Sequence, residues 1–232
     1  MVKKGEIDLV TEADIRAQQE ILSIIGEAFP SDHIMAEEGS QEEPPARQSA
    51  RTWLVDPLDG TTNFAHGFPF FAPSIALEEQ GRLVVGVVYI PYMKELFHAV
   101  RGQGAYLNDQ RLSVSKTDKI GEALVATGFP YDIHKRYRSV LALFQRMITA
   151  AQGVRRPGSA AIDLCYVAAG RFDAFWEESL KPWDTAAGCL IVEESGGKIT
   201  TYEGAPYDPY KPTIVASNSL LHQAMLGIIN KA

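Results

Sequence analysis

A chain of 232 residues is large for one hydrophobic core and small for two independent ones, so one body with two lobes is expected. Apolar residues at 46% and charged residues at 22% are the balance of a globular protein, and a net charge of −7 argues against a general nucleic-acid-binding surface. The sequence displays no signal peptide, transit peptide or membrane-length apolar run, which predicts a cytoplasmic protein without a membrane partner.

In chain order, residues 7–14 lead into a helix whose Ile15, Ile21, Leu22, Ile24 and Ile25 form roughly one apolar stripe. Residues 29–32 end it, and 33–36 read as a short strand running into Glu37-Glu38-Gly39. Residues 40–49, SQEEPPARQS, read as an exposed loop because they are polar and Pro-rich. An apolar strand from Arg51 then ends in a turn at Asp56-Pro57-Leu58-Asp59-Gly60. Strands at 72–79, 83–90, 95–100, 105–107 and 111–114, separated by turn residues, predict an antiparallel meander.

After Lys116 helices and strands alternate: a strand at 123–127, then a helix at 135–151 with Val140, Leu141, Leu143, Phe144, Met147 and Ile148 inward. A helix at 159–169, a strand at 171–176, a helix at 185–195, strands at 198–201 and 213–216, and a helix at 219–229 complete the chain. The change of pattern predicts an N-terminal α+β lobe over 1–116 and a C-terminal α/β lobe over 117–232. Cys165 and Cys189 fall in predicted helices without metal-ligand spacing and read as buried free thiols. His33, His98, His134 and His222 match no zinc or catalytic spacing.

The chemistry concentrates in 53–71, WLVDPLDGTTNFAHGFPFF. Two carboxylates on a Pro-stiffened corner are costly unless neutralised, and a hard divalent cation is the simplest partner. Gly60-Thr61-Thr62 would offer free N–H groups to a phosphate at a helix start. DxxDGT taken alone reads equally well as an acidic turn with a capping threonine. A second string, KPWDTAAG followed by ESGG over 181–197, puts Asp184 where an N-cap is expected.

Together these strings resemble the two signatures of the inositol monophosphatase family, W-x-V/I-D-P-x-D-G-T-x-N-F-x-H-x-x-P and W-D-x-A-A-G…E-A-G-G. Glu37-Glu38-Gly39 matches the family's G/A-E-E, and 8–14 its D-x-V-T-x-x-D. Residues 128–132 and 155–161 are similar to bacterial members. The resemblance implies an α+β fold, a layered αβαβα sandwich of two lobes with metals at their junction. It implies two Mg²⁺ held by Glu37, Asp56, the Leu58 carbonyl, Asp59 and Asp184, and a third, weaker site flanked by the Lys3–Lys4 loop. Asp14 and Thr61 are implied to orient and deprotonate the attacking water, with Glu37 beside them in the catalytic set. Substrate contacts are implied for Asp59, Gly60, Thr61, Gly158, Ser159, Ala160, Glu177 and Asp184, although Glu178 beside Glu177 makes that assignment one of spacing. Arg155-Arg156 either add positive charge near the phosphate or face a partner chain, and His66 is expected to pack structurally.

The implied activity is lithium-sensitive hydrolysis of a small phosphorylated sugar or cyclitol, with myo-inositol 1-phosphate foremost, by a homodimer. Rival substrates are fructose 1,6-bisphosphate, 3′-phosphoadenosine 5′-phosphate, NADP and histidinol phosphate; a non-catalytic regulatory protein on this fold is the rival of another class. The departure is at the front. Family members usually carry a further helix before the D-x-V-T-x-x-D segment, and seven residues precede Asp8 here. The expectation is an intact ligand set with reduced stability or altered assembly, checked by the thermal melting of a version with that helix restored.

Overall fold

The computed structural model describes residues 2–3, 9–39 and 50–231, without the side chains of 2, 3 and 9. The predicted loop at 40–49, Lys4 of the third-metal loop and Asp8 lie outside the described residues.

A seven-stranded sheet is built from β3 (His33–Ala36), β4 (Arg51–Asp59), β5 (Ala72–Glu79), β6 (Arg82–Ile90), β7 (Glu95–Val100), β8 (Gly104–Leu107) and β9 (Gln110–Arg111), in that spatial order. β3 pairs parallel to β4 and the later pairs are antiparallel, the meander expected of short strands joined by tight turns. β1 (Val2–Lys3) and β2 (Leu9–Val10) form a separate two-stranded pair. A five-stranded sheet follows the order β11 (Gly153–Arg155), β10 (Leu124–Thr127), β12 (Ala174–Glu178), β14 (Thr213–Ser217), β13 (Lys198–Thr200). β10 is parallel to β11 and β12, and β14 is antiparallel to both its neighbours.

The helices fill three layers around these sheets. The apolar residues of α1 (Glu12–Ala28) pack on the β3–β5 end of the larger sheet through Ile21, Leu22 and Ile25 against Ile34, Val55 and Ile75. α4 (Ala160–Ala168) and α5 (Pro182–Glu194) lie between the sheets and are buried almost all round, as a helix enclosed on every side must be. α3 (Ile133–Ala150) and α6 (His222–Ile229) cover the outer face of the smaller sheet. The strand period of two divides β12 between cores: Phe175 points to the central layer, Ala174 and Trp176 to the outer one. Truncating the fully buried Phe175 to alanine should cost about 3–5 kcal/mol. The result is the layered αβαβα sandwich.

Several predicted boundaries move. β9 stops at Arg111, because residues 112–118 leave the sheet toward the end of α5 and the start of β12, tied by Val114 N to Ser195 O (3.1 Å) and by the Ser115 hydroxyl to Asp173 (2.6 Å). On α3, Leu143 and Met147 face the core, whereas Leu141 and Ile148 are 47% and 49% exposed; α3 rests on the sheet by one narrow stripe. α5 begins at Pro182, whose fixed φ suits a first helical position. β12 begins at Ala174, because residues 169–173 form a turn whose N–H groups return to Cys165, Val167, Tyr166 and Leu124. Both cysteines are buried and free.

Candidate active site

Asp56 and Asp59 lie on one strand, since β4 runs through Pro57 to Asp59 where the sequence suggested a turn at Asp56. Residues three apart on a regular strand point to opposite faces. Here the register against β5 slips between Asp56↔Ser74 and Asp59↔Ala72, and this one-residue bulge lets both carboxylates line one cavity. Gly60 follows at φ +92°, where a Cβ would stand 2.9 Å from the Phe70 carbonyl oxygen; an L side chain there meets both backbone strain and a clash. The chain then enters the short helix α2 (Thr61–Ala65).

Asp14 reaches this corner from α1. Thr11 caps the helix, and Asp14, three residues on, accepts hydrogen bonds from the Thr11 N–H (2.9 Å) and the Thr11 hydroxyl. The Thr61 hydroxyl lies 2.9 Å from Asp14 Oδ1 and 3.0 Å from the Leu58 carbonyl oxygen. One hydroxyl proton serves one of these acceptors at a time, so Asp14 and Leu58 compete for it. Asp14 is fully buried, which fixes it between two threonines. Glu37 follows β3 and is anchored by its N–H to Val55 O (3.0 Å).

The two helices between the sheets approach by their starts. The Ser159 hydroxyl and the Ala161 N–H both donate to Asp59 Oδ2 at 2.7 Å, so a carboxylate of the larger sheet sits on the N-terminus of α4. Asp184 is not the N-cap of α5 as the sequence suggested. Lys181 holds that position, and Asp184, three residues inside, accepts the Lys181 N–H at 2.7 Å. Glu177, on β12, is buried with its carboxylate against Gly128, where a Cβ would meet its oxygens at 2.1 and 2.2 Å. Gly60, Gly158, Ser159, Ala160, Glu177 and Asp184 all line the same cavity of about 860 Å³ as Glu37, Asp56, Leu58, Asp59 and Thr61. His66 stands apart: its ring is exposed, and only its backbone closes α2.

The acids press on one another. Burial raises Asp56 well above the usual carboxylate range, and Glu37, Asp59 and Asp184 push it further. Burial and Asp59 raise Asp184 likewise. Asp59 is pushed up to about 6, with burial opposed by the bonds from Ser159 and Ala161. Glu177 is pushed up to about 8 by burial, against the pull of Arg156.

As they stand, no three His, Cys, Asp or Glu side chains among the described residues are grouped so as to hold a metal ion. Asp56, Asp59 and Asp184 instead accept internal hydrogen bonds, on Oδ1 of Asp56 and Oδ2 of the other two. Each such bond occupies one carboxylate oxygen, and the second can meet a cation. The donor set is the one a hard divalent cation takes: mutually repelling carboxylates with the Leu58 carbonyl among them. These residues fit Mg²⁺.

The model of the inositol monophosphatase family matches residues 1–232. The chain belongs to that family. Relatives of the inositol monophosphatases bear this out along the whole length. An inositol-1-monophosphatase of Caulobacter vibrioides is 44% identical over 233 residues, 99% of this chain and 90% of that protein. The crystal structure of extragenic suppressor protein suhB from Bartonella henselae superposes with a TM-score of 0.92 at 42% identity, covering 100% of this chain and 88% of that one. An IMPase/NADP phosphatase solved with Mg²⁺ and phosphate matches at a TM-score of 0.88 and 28% identity, covering 100% and 86%. A dual specific IMPase/NADP phosphatase bound with D-inositol-1-phosphate matches at 0.85 and 29%, covering 96% and 85%.

Two residues, Asn63 in the cavity wall and Asp163 buried outside its lining, escaped sequence reasoning. The Asn63 amide lies 2.7 Å from the Phe70 carbonyl, 2.9 Å from that of Pro157 and 3.3 Å from that of Gly158, tying the first motif to the loop before α4. Its signal was its place inside that motif. Asp163 is 1% exposed and neither of its oxygens has a hydrogen-bond partner. Burial, then Glu177 and Asp59, raise it well above the carboxylate range and favour the neutral acid. Its signal was a lone acid within the apolar run AAIDLCYVA.

Proposed function

We propose that this chain is a Mg²⁺-dependent phosphomonoesterase of small sugar or cyclitol monophosphates, releasing inositol and phosphate from myo-inositol 1-phosphate. The observation that carries the reading is the convergence of Asp56, Asp59, Asp184 and Glu37 in one cavity beside a Thr61 hydroxyl already bonded to Asp14.

Glu37, Asp56, the Leu58 carbonyl, Asp59 and Asp184 would hold the metal. Bound there, Mg²⁺ supplies charge neutralisation for the phosphoryl oxygens and acidifies water. Thr61, a poor base alone, gives its proton to Asp14 as it takes one from water, and the buried carboxylate fixes the direction of that transfer. The N–H groups at the start of α2 would meet the phosphate, with Gly60 lining the cavity beside them and its own N–H directed to Asp59. Gly158, Ser159, Ala160 and Glu177 meet the alcohol; a glutamic acid pushed to about 8 is neutral at pH 7 and can donate to a ring oxygen. The division into lobes at 116/117, a homodimer, lithium sensitivity and a cytoplasmic setting belong to the same reading. No helix among the described residues is long and apolar enough to cross a membrane.

The test is phosphate release with Mg²⁺, with and without lithium, from myo-inositol 1-phosphate, fructose 1,6-bisphosphate, 3′-phosphoadenosine 5′-phosphate, NADP and histidinol phosphate. The expected result is fastest release from inositol 1-phosphate and its suppression by lithium. Release from none of them would leave the regulatory alternative standing instead.

A further inference from the structure

The buried face of α1 changes character along its length. Toward the C-terminus it is apolar, with Ile21, Leu22 and Ile25 packed on the larger sheet. Continued backward at helical spacing, the same stripe passes through positions 18 and 14, where an amphipathic helix would bury two more apolar residues. This chain has Gln18 and Asp14 there, 9% and 0% exposed. Polar side chains on a buried helical face need partners, and both find theirs at the candidate active site. Asp14 meets the Thr61 hydroxyl.

Gln18 reaches the chain just past Glu37. Its amide oxygen accepts the Glu38 N–H at 2.9 Å, and its amide nitrogen donates to the Glu38 carbonyl oxygen at 2.5 Å. The side-chain amide thus pairs with residue 38 as a neighbouring strand would, with one donor and one acceptor on each side. It takes over where the sheet stops. β3 ends at Ala36, paired with Val55, and the next bond to β4 runs from the Glu37 N–H to Val55 O at 3.0 Å. Glu38 follows in a turn, with Gly39 at φ +86°. Glu37 therefore sits between two fixed points, β4 before it and Gln18 after it, and lines the cavity with Asp56. Gln18 itself is outside the cavity lining. Asp14 and Gln18 are one turn apart on α1, so one helix face holds both the acceptor for Thr61 and the clamp behind Glu37.

We infer that Gln18 is a positioning residue of the candidate metal centre: its grip on Glu38 fixes the direction in which Glu37 enters the cavity and sets Glu37 in register with Thr61 through α1. The inference rests on Glu37 being a metal ligand in the proposed phosphatase.

The experiment uses the full chain with Gln18→Met, which matches the side chain in length and can make neither bond. Gln18→Asn, which keeps the amide on a shorter stem, is the second variant. Mn²⁺, a stand-in for Mg²⁺ at oxygen ligands, is titrated by calorimetry and electron-spin resonance, and metal-free melting reads whether each variant folds. Both variants are expected to bind Mn²⁺ about tenfold more weakly, the lower end of what losing a ligand-orienting bond costs. The Mg²⁺ concentration for half-maximal phosphate release should rise by a similar factor, with most of the lost rate recovered at saturating Mg²⁺. In a Glu37→Gln background the same substitutions should change Mn²⁺ affinity by no more than about twofold, since the effect passes through Glu37. Should the methionine variant not fold, the asparagine variant decides alone. Unchanged affinity in a folded variant overturns the inference, and so does an equal loss with and without Glu37. A non-additive loss of Mn²⁺ affinity without phosphate release from any substrate upholds the role of Gln18 and sinks the phosphatase reading. Release with an affinity indifferent to Gln18 does the reverse.

Discussion

The two halves of the site are built in different ways. The half on β4 and α2 is local: Asp56, Leu58, Asp59, Gly60 and Thr61 lie within six consecutive residues, aimed by one bulge and one left-handed glycine. The other half is assembled from distant segments, namely a helix start at Ser159, a strand position at Glu177 and the first turn of another helix at Asp184. It meets the first half through Asp59 on the N-terminus of α4 and Asn63 on the Pro157–Gly158 loop. A half encoded in one stretch is legible as a motif and tolerates change elsewhere. A half made of three segments depends on the register between sheets.

The comparison breaks most sharply at Asp59, which serves both halves. Asp59→Asn keeps an acceptor for Ser159 and Ala161 and removes the charge, so the fold should hold while turnover drops on the order of 10²–10³-fold or more. Phosphate release with a thermal melt reads both; undiminished turnover would remove Asp59 from the metal set.

Glu177→Gln tests the assembled half alone. It keeps the size of the side chain and loses the acid, and kcat/KM for inositol 1-phosphate should fall by about tenfold, about 1.4 kcal/mol. The unaltered enzyme should lose kcat/KM on the alkaline side as Glu177 ionises, at or below about 8 because bound Mg²⁺ favours the charged form, and the glutamine variant should lose that limb. An identical alkaline limb in both proteins would show that another group titrates there. The stability sign follows from the same shift. In the metal-free chain the folded state keeps its proton between the ordinary 4.5 and about 8, so this group's contribution is present below 4.5 and lost across that window as pH rises.

Away from the site, His222 offers the opposite sign. Its ring accepts or donates at both nitrogens, to Thr200 Oγ1 at 2.8 Å and Ser217 Oγ at 2.9 Å, and burial lowers it to about 4 from 6.5. The unfolded chain binds the proton first, so stability falls as pH drops from about 6.5 to 4. His222→Ala should lower stability by about 2–3 kcal/mol near neutrality through two lost buried hydrogen bonds and a cavity. Melting curves across pH 4–7 check this; an acid slope that persists in the variant points to other groups.

The smallest effect is expected at Glu194, an acid of the second motif that lies far from the chemistry. Its carboxylate accepts the N–H groups of Gly102 (2.9 Å) and Gly104 (2.8 Å), joining the end of α5 to the β7–β8 hairpin. Glu194→Gln keeps one acceptor and should cost about 1 kcal/mol in stability with kcat/KM within twofold of the parent. A large loss of activity would mean that the hairpin positions the site.

Much of the fold was legible because strand and helix periods leave distinct apolar patterns. The meander, α3, α4 and α6 all follow from theirs to within a few residues. The errors have physical causes. Leu141 and Ile148 are apolar and face solvent, since periodicity alone does not reveal how narrow a stripe the neighbouring sheet covers. Residues 112–114 alternate like a strand but are drawn away by Ser195 and Asp173.

By itself, the sequence determined the family, the layered α+β fold and the identity of the acids at the centre, because motif residues sit close together in the chain and local backbone chemistry constrains them. Tertiary structure alone decided which side of β4 the acids face, that Asp59 is caught by the start of α4, that Asp163 is buried without a hydrogen-bond partner, and that Arg156, Lys181 and Lys211 line the same cavity as the acids. Those are facts about segments distant in sequence, and only packing brings their charges and hydrogen-bonding groups within reach of one another.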